Sequence, residues 1–475
     1  MSAQPPRSVN VNGAIARLLA LFAIAYALLV ARQFYVQVIA GPSLSRNPHN
    51  PRNAVLARYR GPIVARDGSV LARSTAHGRI YPLGASLAHA LGYVSERYGV
   101  TGLEEAYDRD LSGRPIASDV IAQVQQLAGS RPPTQALRGA TVITTIDPAT
   151  QATLYGALAE YPRAAGVALD PRSGAVLAVA SVPSYDPGTI DKAFATLVHD
   201  GRSPLLDRSL DGLYPPGSTF KIFTAAAALE AGAVAADATF YDPGTLAVGD
   251  FVVHDNEGEA TGTQDLGGAF ALSSNVDFAQ IALKLGVSGW YGAAERWKLG
   301  ETVGFTLPVE HDRIPARASV SPSILAQLGF GQADLLVTPL RMALVAATIA
   351  SGGTTPRPYL VSAVRGDRAR VEGAPHGLAS PITPEVAGSV RDFMIATVRR
   401  GTGRAAALDG VTVAGKTGTA TNPAGRSHAW FVAFAPAEAP RVAVAIVVEN
   451  GGYGGDVAAP IARRVIASAL AHGPR

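Results

Sequence analysis

Ser218 and Lys221 stand three residues apart in YPPGSTFKIFTAAAALEAG (214–232), and a serine with a lysine one helical turn away is a nucleophile beside a base. Pro215, Pro216 and Gly217 keep the chain out of a helix until Ser218, and Ile222, Ala225, Ala226 and Leu229 then mark a buried helical stripe that stops at Gly232. Lys221 is the only charge between Ser218 and Glu230. Desolvation and the positive end of a helix both lower a lysine's pKa, which suits Lys221 to take the Ser218 proton. Taken alone, the pair reads sooner as a capping serine followed by an ordinary surface lysine. A second set, Ser273 and Asn275 in LSSNV (272–276), offers a hydroxyl and an amide just before a helix whose one side carries Phe278, Ile281, Ala282 and Leu285. Serine and asparagine in that place are also ordinary caps.

The third set is Lys416, Thr417, Gly418 and Thr419 at the end of a strand. A lysine and two hydroxyls on an edge strand suit a carboxylate, Gly418 lets a substrate backbone approach, and the Thr419 amide is a candidate outward-pointing donor. Residues Gly410 to Thr417 also satisfy the phosphate-loop spacing G-x-x-x-x-G-K-[ST]. Such a loop must open a helix, whereas Thr419 to Ser427 (TATNPAGRS) reads as a turn, so nucleotide binding is set aside.

The elements that must position these sets read as an alpha/beta domain. ATVITTID (140–147) predicts a strand followed by a helix capped by Asp147 with Pro148 first, and Leu154, Leu158 and Tyr161 share one face. Residues 166–170 and 175–181 predict a hairpin turning through Pro171 to Gly174. Thr338 and Pro339 open a helix that ends before Gly352 and Gly353. VTVAGKTGTA, HAWFVAFAP and RVAVAIVVEN then predict three successive strands, giving a mainly antiparallel sheet whose edges come from both ends of the domain, flanked by helices. His428 and Trp430 read as packing beside the Lys416 strand, and Gly451 to Gly455 as a flexible connection after the last strand.

The chain has 475 residues with 48% apolar and 16% charged, a folded composition, and its net charge of +4 does not suggest a nucleic-acid partner. Zero cysteines exclude disulfides, thiol nucleophiles and cysteine metal sites, and the nine histidines show no metal-ligand spacing. Leu18 to Ala31 carries no charge, lies between Arg17 and Arg32 within an apolar stretch from Ala14 to Ala40, and reads as a retained membrane anchor in preference to a cleaved signal peptide. Loop charge does not orient it. Pro42 to Arg60 reads as a linker, Ile63 to Ala65 and Val70 to Ala72 as a hairpin around Asp67 and Gly68, and Ser130 to Arg138 as a boundary. The expected organisation is a tail over 1–13, an anchor over 14–40, a small mixed scaffold without chemistry of its own over 41–138, and the main domain over 139–475.

In order and separation the three sets resemble those of penicillin-binding proteins and class A beta-lactamases. With RGPIVARDGSVLA, GLEEAYDRDLSG (102–113), GVALDPRSGAVLAVASVPSYDPG, LGFGQADLLVTPLRMALVAATIASGG (328–353) and HAWFVAFAP, the chain resembles class B penicillin-binding proteins over about 60–460, as a small member of the actinobacterial type with a reduced dimerisation-like scaffold. Nothing before residue 140 is long enough for the glycosyltransferase domain of class A members. The resemblance implies a serine beta-lactamase-like transpeptidase fold. It implies that Ser218 attacks the penultimate D-alanine of a peptidoglycan stem peptide, Lys221 accepts the proton, Ser273 relays a proton to the departing D-alanine, and Asn275 positions side chains and substrate. It implies that Lys416, Thr417, Gly418 and Thr419 receive the terminal carboxylate, with the Ser218 and Thr419 amides as the oxyanion hole. No metal or cofactor is implied. Beta-lactams, the cytoplasmic membrane and a polytopic glycosyltransferase are the further implied partners, with the catalytic domain outside the membrane. The rivals are a D,D-carboxypeptidase or endopeptidase using water, a smaller class D type beta-lactamase, and a beta-lactam sensor or inactive scaffold, the sensor needing a signalling domain that a dozen residues before the anchor cannot supply.

Overall fold

A computed structural model describes residues 11–35, 60–112, 139–255, 259–366, 369–421 and 425–472. Most of the expected linker (42–59) and the boundary segment Ser130 to Arg138 lie outside these. The chain divides into two compact units, 1–58 and 59–475.

In the first unit, the helix Val11–Phe34 runs through and beyond the uncharged stretch. Its apolar part, Ile15–Phe34, is 20 residues long and exposed. At 1.5 Å per residue this spans about 30 Å, the thickness of a bilayer's hydrocarbon core, so the helix is long and apolar enough to cross a membrane.

The second unit is built on a five-stranded antiparallel sheet in the order Ala414–Ala420, His428–Ala435, Val442–Val448, Ala164–Leu169, Val176–Val182. The predicted hairpin and the three late strands are all present, and the sheet's two edges come from opposite ends of the domain. Every residue of its middle strands is buried because helices cover both faces. Pro148–Leu158 and Gly454–His472 pack on one face, and Pro339–Ala350 with Lys221–Glu230 on the other. Strands buried on both sides lose the apolar–polar alternation, hence the continuous run VAVAIVV. Asp147 and Thr338 cap their helices as expected, accepting from the N–H groups of Thr150 and Arg341.

Two expectations change. The Gly451 to Gly455 run is not merely a flexible connection, because Gly454 and Gly455 begin the last helix. A Cβ on Gly454 would sit 2.3 Å from the carbonyl oxygens of Gly418 and Trp430, so only glycine lets the helix approach the sheet there. The strand Thr141–Thr144, expected to open the main domain, instead pairs in parallel with Ile63–Val64 and antiparallel with Val361–Arg365. It is the hinge of a six-stranded sheet completed by Arg370–Val371, Val70–Thr75 and Gly78–Ile80. Strands from before residue 112 and from after residue 139 therefore share one sheet. Near this sheet Glu104, fully buried, pairs with Arg60 at 2.9 Å and with Arg79 at 2.6 Å. That buried ion-pair cluster is what the GLEEAY segment contributes.

Candidate active site

Ser218 lies in a single 3-10 turn, Gly217–Phe220, that runs directly into the helix Lys221–Glu230. Four contacts fix the approach to this turn. The Tyr214 backbone exchanges hydrogen bonds with Val337, the Trp430 indole donates to the Pro215 carbonyl at 3.1 Å, the Gly217 N–H donates to the Gly331 carbonyl at 2.9 Å, and the Tyr214 hydroxyl donates to Glu449 at 2.9 Å. Gly217 has a φ of +53° and would bring a Cβ to 3.0 Å from the Ala420 backbone. The serine turn thus lies against the edge strand Ala414–Ala420. The first N–H groups of a helical turn have no partner within it, and among the described residues that of Ser218 makes no backbone hydrogen bond outside it.

Lys221 is no surface lysine: it is fully buried. Its ammonium donates to the Ser273 carbonyl at 2.5 Å, to Asn275 Oδ1 at 2.9 Å and to Ser273 Oγ at 3.3 Å, and lies 5.3 Å from the centre of the Phe278 ring. Lys416, also fully buried, donates to the same Ser273 Oγ at 2.8 Å and lies 5.6 Å from the Phe270 ring. One serine hydroxyl therefore stands between two desolvated amines. Burial pushes Lys221 down to about 7, against the pull of the Asp255, Asp277 and Asp242 carboxylates. Burial, reinforced by repulsion from Lys221, holds Lys416 well below the usual lysine range. Among the described residues the Ser218 hydroxyl makes no hydrogen bond, so the expected Ser218–Lys221 contact is not formed here; the amine points to Ser273 and Asn275 instead.

The capping alternative for the second set resolves in an unexpected way. Ser274 is the cap of the helix Asn275–Arg296, its Oγ accepting from the Asp277 N–H at 2.9 Å. That leaves Ser273 and Asn275 free for the lysines. Ser273 ends the preceding helix Leu266–Leu272 in the left-handed region, with φ +69°.

The third set divides. Alternate residues of a strand face opposite ways, and the register pairs Lys416 with Val432 and Gly418 with Trp430. Gly418 packs under the serine turn, where a Cβ would lie 2.9 Å from Thr219 Cγ2 and 3.0 Å from the Pro216 carbonyl. Thr417 and Thr419 alternate to the other face, toward the C-terminal helix. Thr417 Oγ1 is 2.5 Å from Thr402 Oγ1, and Thr419 Oγ1 accepts weakly from the Gly454 N–H at 3.5 Å. The two hydroxyls therefore leave the strand on the opposite face from the Lys416 side chain. The stretch Gly410 to Thr417 ends inside a strand and opens no helix, which removes the phosphate-loop reading.

Sequence reasoning missed Asp255 and Thr402, whose contacts come from segments with no motif of their own. It also read Trp430 only as packing, although the indole holds Pro215. His428 does pack, ring edge to Tyr214, and its Nδ1 accepts from the Asn450 N–H at 3.1 Å.

Residues 164–467 match the family model of the penicillin binding protein transpeptidase domain, and residues 60–137 that of the penicillin binding protein A dimerisation domain. The chain is similar to the peptidoglycan D,D-transpeptidase PbpA of Mycolicibacterium smegmatis, with 36% identity over 97% of this chain and all of the relative. It is also similar to the peptidoglycan D,D-transpeptidase MrdA of Salmonella typhimurium, with 30% identity over 82% of this chain and 72% of the relative. Among solved structures it resembles the ceftriaxone acyl-enzyme of penicillin-binding protein A from M. tuberculosis, with 33% identity, a TM-score of 0.80, and coverage of 88% of this chain and 99% of that one.

Proposed function

This chain belongs to the penicillin-binding proteins as a serine-type peptidoglycan D,D-transpeptidase of class B, and we propose that Ser218 is the residue on which its acyl-enzyme forms. The observation that carries the assignment is Ser273 Oγ held between the buried amines of Lys221 and Lys416, next to the serine turn. Ser218 Oγ attacks the carbonyl carbon of the penultimate D-alanine and its proton passes to the neutral form of Lys221, which desolvation favours. The developing oxyanion is met by the Ser218 and Thr419 N–H groups, a kind of donor worth about 2.7–4 kcal/mol apiece. When the C–N bond breaks, Ser273 hands a proton to the leaving D-alanine amine and is resupplied by Lys221, which carries the proton taken from Ser218. Asn275 holds Lys221 in line. An amine from a neighbouring stem peptide then attacks the ester, forms the crosslink, and returns the proton to Ser218.

The terminal carboxylate is received along the free edge of the strand by the Thr417 and Thr419 hydroxyls, with the charge of Lys416 on the other side of the strand and Gly418 keeping the backbone open. For Thr417 to donate to it, Thr402 must turn to donate to Thr417. Beta-lactams acylate the same serine. The apolar helix anchors the chain in the cytoplasmic membrane in a single pass with the catalytic unit outside, where the substrate is, and a polytopic glycosyltransferase is the expected partner on family grounds. Residues 41–138 serve as scaffold and residues 139–475 as the transpeptidase domain.

The test is acylation of the full chain by a fluorescent penicillin, followed by gel and intact mass over hours, beside Ser218→Ala. The expected result is a persistent adduct of one penicillin, absent from the variant. Labelling of folded Ser218→Ala would overturn the assignment, and rapid loss of the wild-type adduct would point to a beta-lactamase.

A further inference from the structure

We propose that Asp255 is a positioning residue for this site: it clamps the Ser274–Val276 backbone from a separate hairpin and so holds the Ser273 hydroxyl between the two lysines. The inference rests on reading Ser273 as the proton relay. Ser273 sits in the left-handed region, φ +69°, which an L-serine with a Cβ disfavours and keeps only where its neighbours hold it. On the upstream side the Ser273 and Ser274 N–H groups close the preceding helix on the Phe270 and Ala269 carbonyls, at 3.2 and 3.0 Å. On the downstream side the holding group is Asp255. Its Oδ1 accepts from the Asn275 N–H in a short contact and from the Val276 N–H at 3.3 Å, and its Oδ2 accepts from Ser274 Oγ at 3.2 Å.

This is more than a helix cap, because the helix already has one in Ser274. Asp255 comes from 20 residues earlier, just after the hairpin Thr245–Val248/Phe251–His254. The next residue back takes part as well, the His254 carbonyl accepting from Asn275 Nδ2 at 3.0 Å. Asn275 is thereby fixed at both its backbone and its side chain, with Oδ1 left for Lys221. The clamp is itself anchored: the Asp255 N–H donates to the Gly244 carbonyl at 3.2 Å, and the carboxyl is hydrogen-bonded to that of Asp242. Asp242 is fully buried and holds the Gly244 N–H at 2.7 Å and the Thr261 hydroxyl at 2.6 Å. A carboxyl at the N-terminus of a helix, here the one that runs from Asn275 to the kink at Gly286, is also favoured by the helix dipole.

The experiment measures acylation of the full-length protein in detergent by a chromogenic beta-lactam at about pH 8.5, where the base is neutral, separating the non-covalent dissociation constant from the acylation rate constant. In Asp255→Ala the rate constant is expected to fall about 10- to 100-fold, the scale of an ångström-sized displacement of a catalytic group, with binding changed less than about twofold. Asp255→Asn keeps an oxygen for the Asn275 and Val276 N–H groups and puts an amide N–H₂ toward Asp242, so it is expected to stay within about threefold of wild type. If Asp255→Ala does not fold, Asp255→Glu is read in its place, since it keeps the charge but carries it one methylene too far, and the same loss is expected. A wild-type rate constant in folded Asp255→Ala or Asp255→Glu, or an equal loss in Asp255→Asn, overturns the clamp. Ser273→Ala separates the two readings: if it too acylates at the wild-type rate, the relay itself is wrong, whereas a slow Ser273→Ala beside a fast Asp255→Ala refutes the clamp alone.

Discussion

Acylation by this protein should switch on with pH through neutrality, because the base is a lysine that burial has brought down to about 7. The sign follows from which form reacts. Only neutral Lys221 can take the Ser218 proton, and desolvation favours the neutral form, so the competent fraction rises with pH. With a midpoint of about 7, roughly a tenth of the molecules are competent at pH 6 and roughly a hundredth at pH 5. An unperturbed lysine, at 10.5, would instead leave the rate climbing about tenfold per unit past pH 9. The assay is stopped-flow acylation, reading the second-order rate constant from about pH 5 to 9.5. A flat profile, or one still climbing tenfold per unit at the alkaline end, refutes the argument. Asp255 is a second group near the midpoint, raised by burial and by its hydrogen bond with Asp242. It is separable, because the groups facing Lys221 are Asp255, Asp277, Asp242 and Lys416. If the limb belongs to Lys221, Asp255→Asn keeps it and moves it to lower pH, since the lost carboxylate favoured the charged amine. If the limb belongs to Asp255, it disappears. The same shift appears in stability: between about pH 7 and 10.5 the unfolded lysine binds a proton that the folded one does not, so Lys221's contribution rises with pH across that window.

Trp430→Phe should cost about 1–3 kcal/mol, because the Pro215 carbonyl loses its buried donor, and thermal melting with acylation kinetics should show both a lower midpoint and a slower serine. Gly418→Ala forces a Cβ to 2.9 Å from Thr219 Cγ2 and 3.0 Å from Pro216 O, an overpacking of about 1–3 kcal/mol; an acylation rate equal to wild type would mean the serine turn is not seated on this strand. Arg60→Ala strips the fully buried Glu104 of one of its two guanidinium partners, a loss of about 3–5 kcal/mol for a broken buried pair. Its melting midpoint should fall while the folded fraction acylates normally, and an unchanged midpoint would show the cluster to be structurally idle.

The parts of this site that could be read from sequence are those whose chemistry is local. Ser218 and Lys221 share one turn, Ser273 and Asn275 flank one cap, and the Lys416 strand announces itself by its apolar neighbours, so spacing makes each a candidate and the order and separation of the three sets make the case. The central hairpin and late strands were legible for the same reason, since each runs unbroken to a turn of proline, glycine or asparagine. What spacing does not carry is the third dimension. The lysines converge on Ser273 only because the helix before it ends in a left-handed serine, which no propensity predicts at that position. The strand's period of two puts Thr417 and Thr419 on the opposite face from Lys416, but which face meets the serine turn can be read only once the packing of Gly418 under Thr219 and Pro216 is known.

Asp255 is the extreme case: one of three acids in the polar stretch DNEGE (255–259), 20 residues upstream of its partner, without a pattern to mark it. Yet it follows from an accounting that applies to any helix. The first N–H groups of Asn275–Arg296 must be satisfied somewhere, Ser274 can take only one, and the remainder have to be met by a group from outside. In a catalytic loop that group decides more than stability. A cap supplied from within the helix leaves the loop free to move with it, whereas a clamp supplied from another hairpin ties the relay serine to the rest of the domain. The structure pairs a strained serine with an external clamp, and this pairing is why the loss expected for Asp255→Ala is in the rate constant and not in binding.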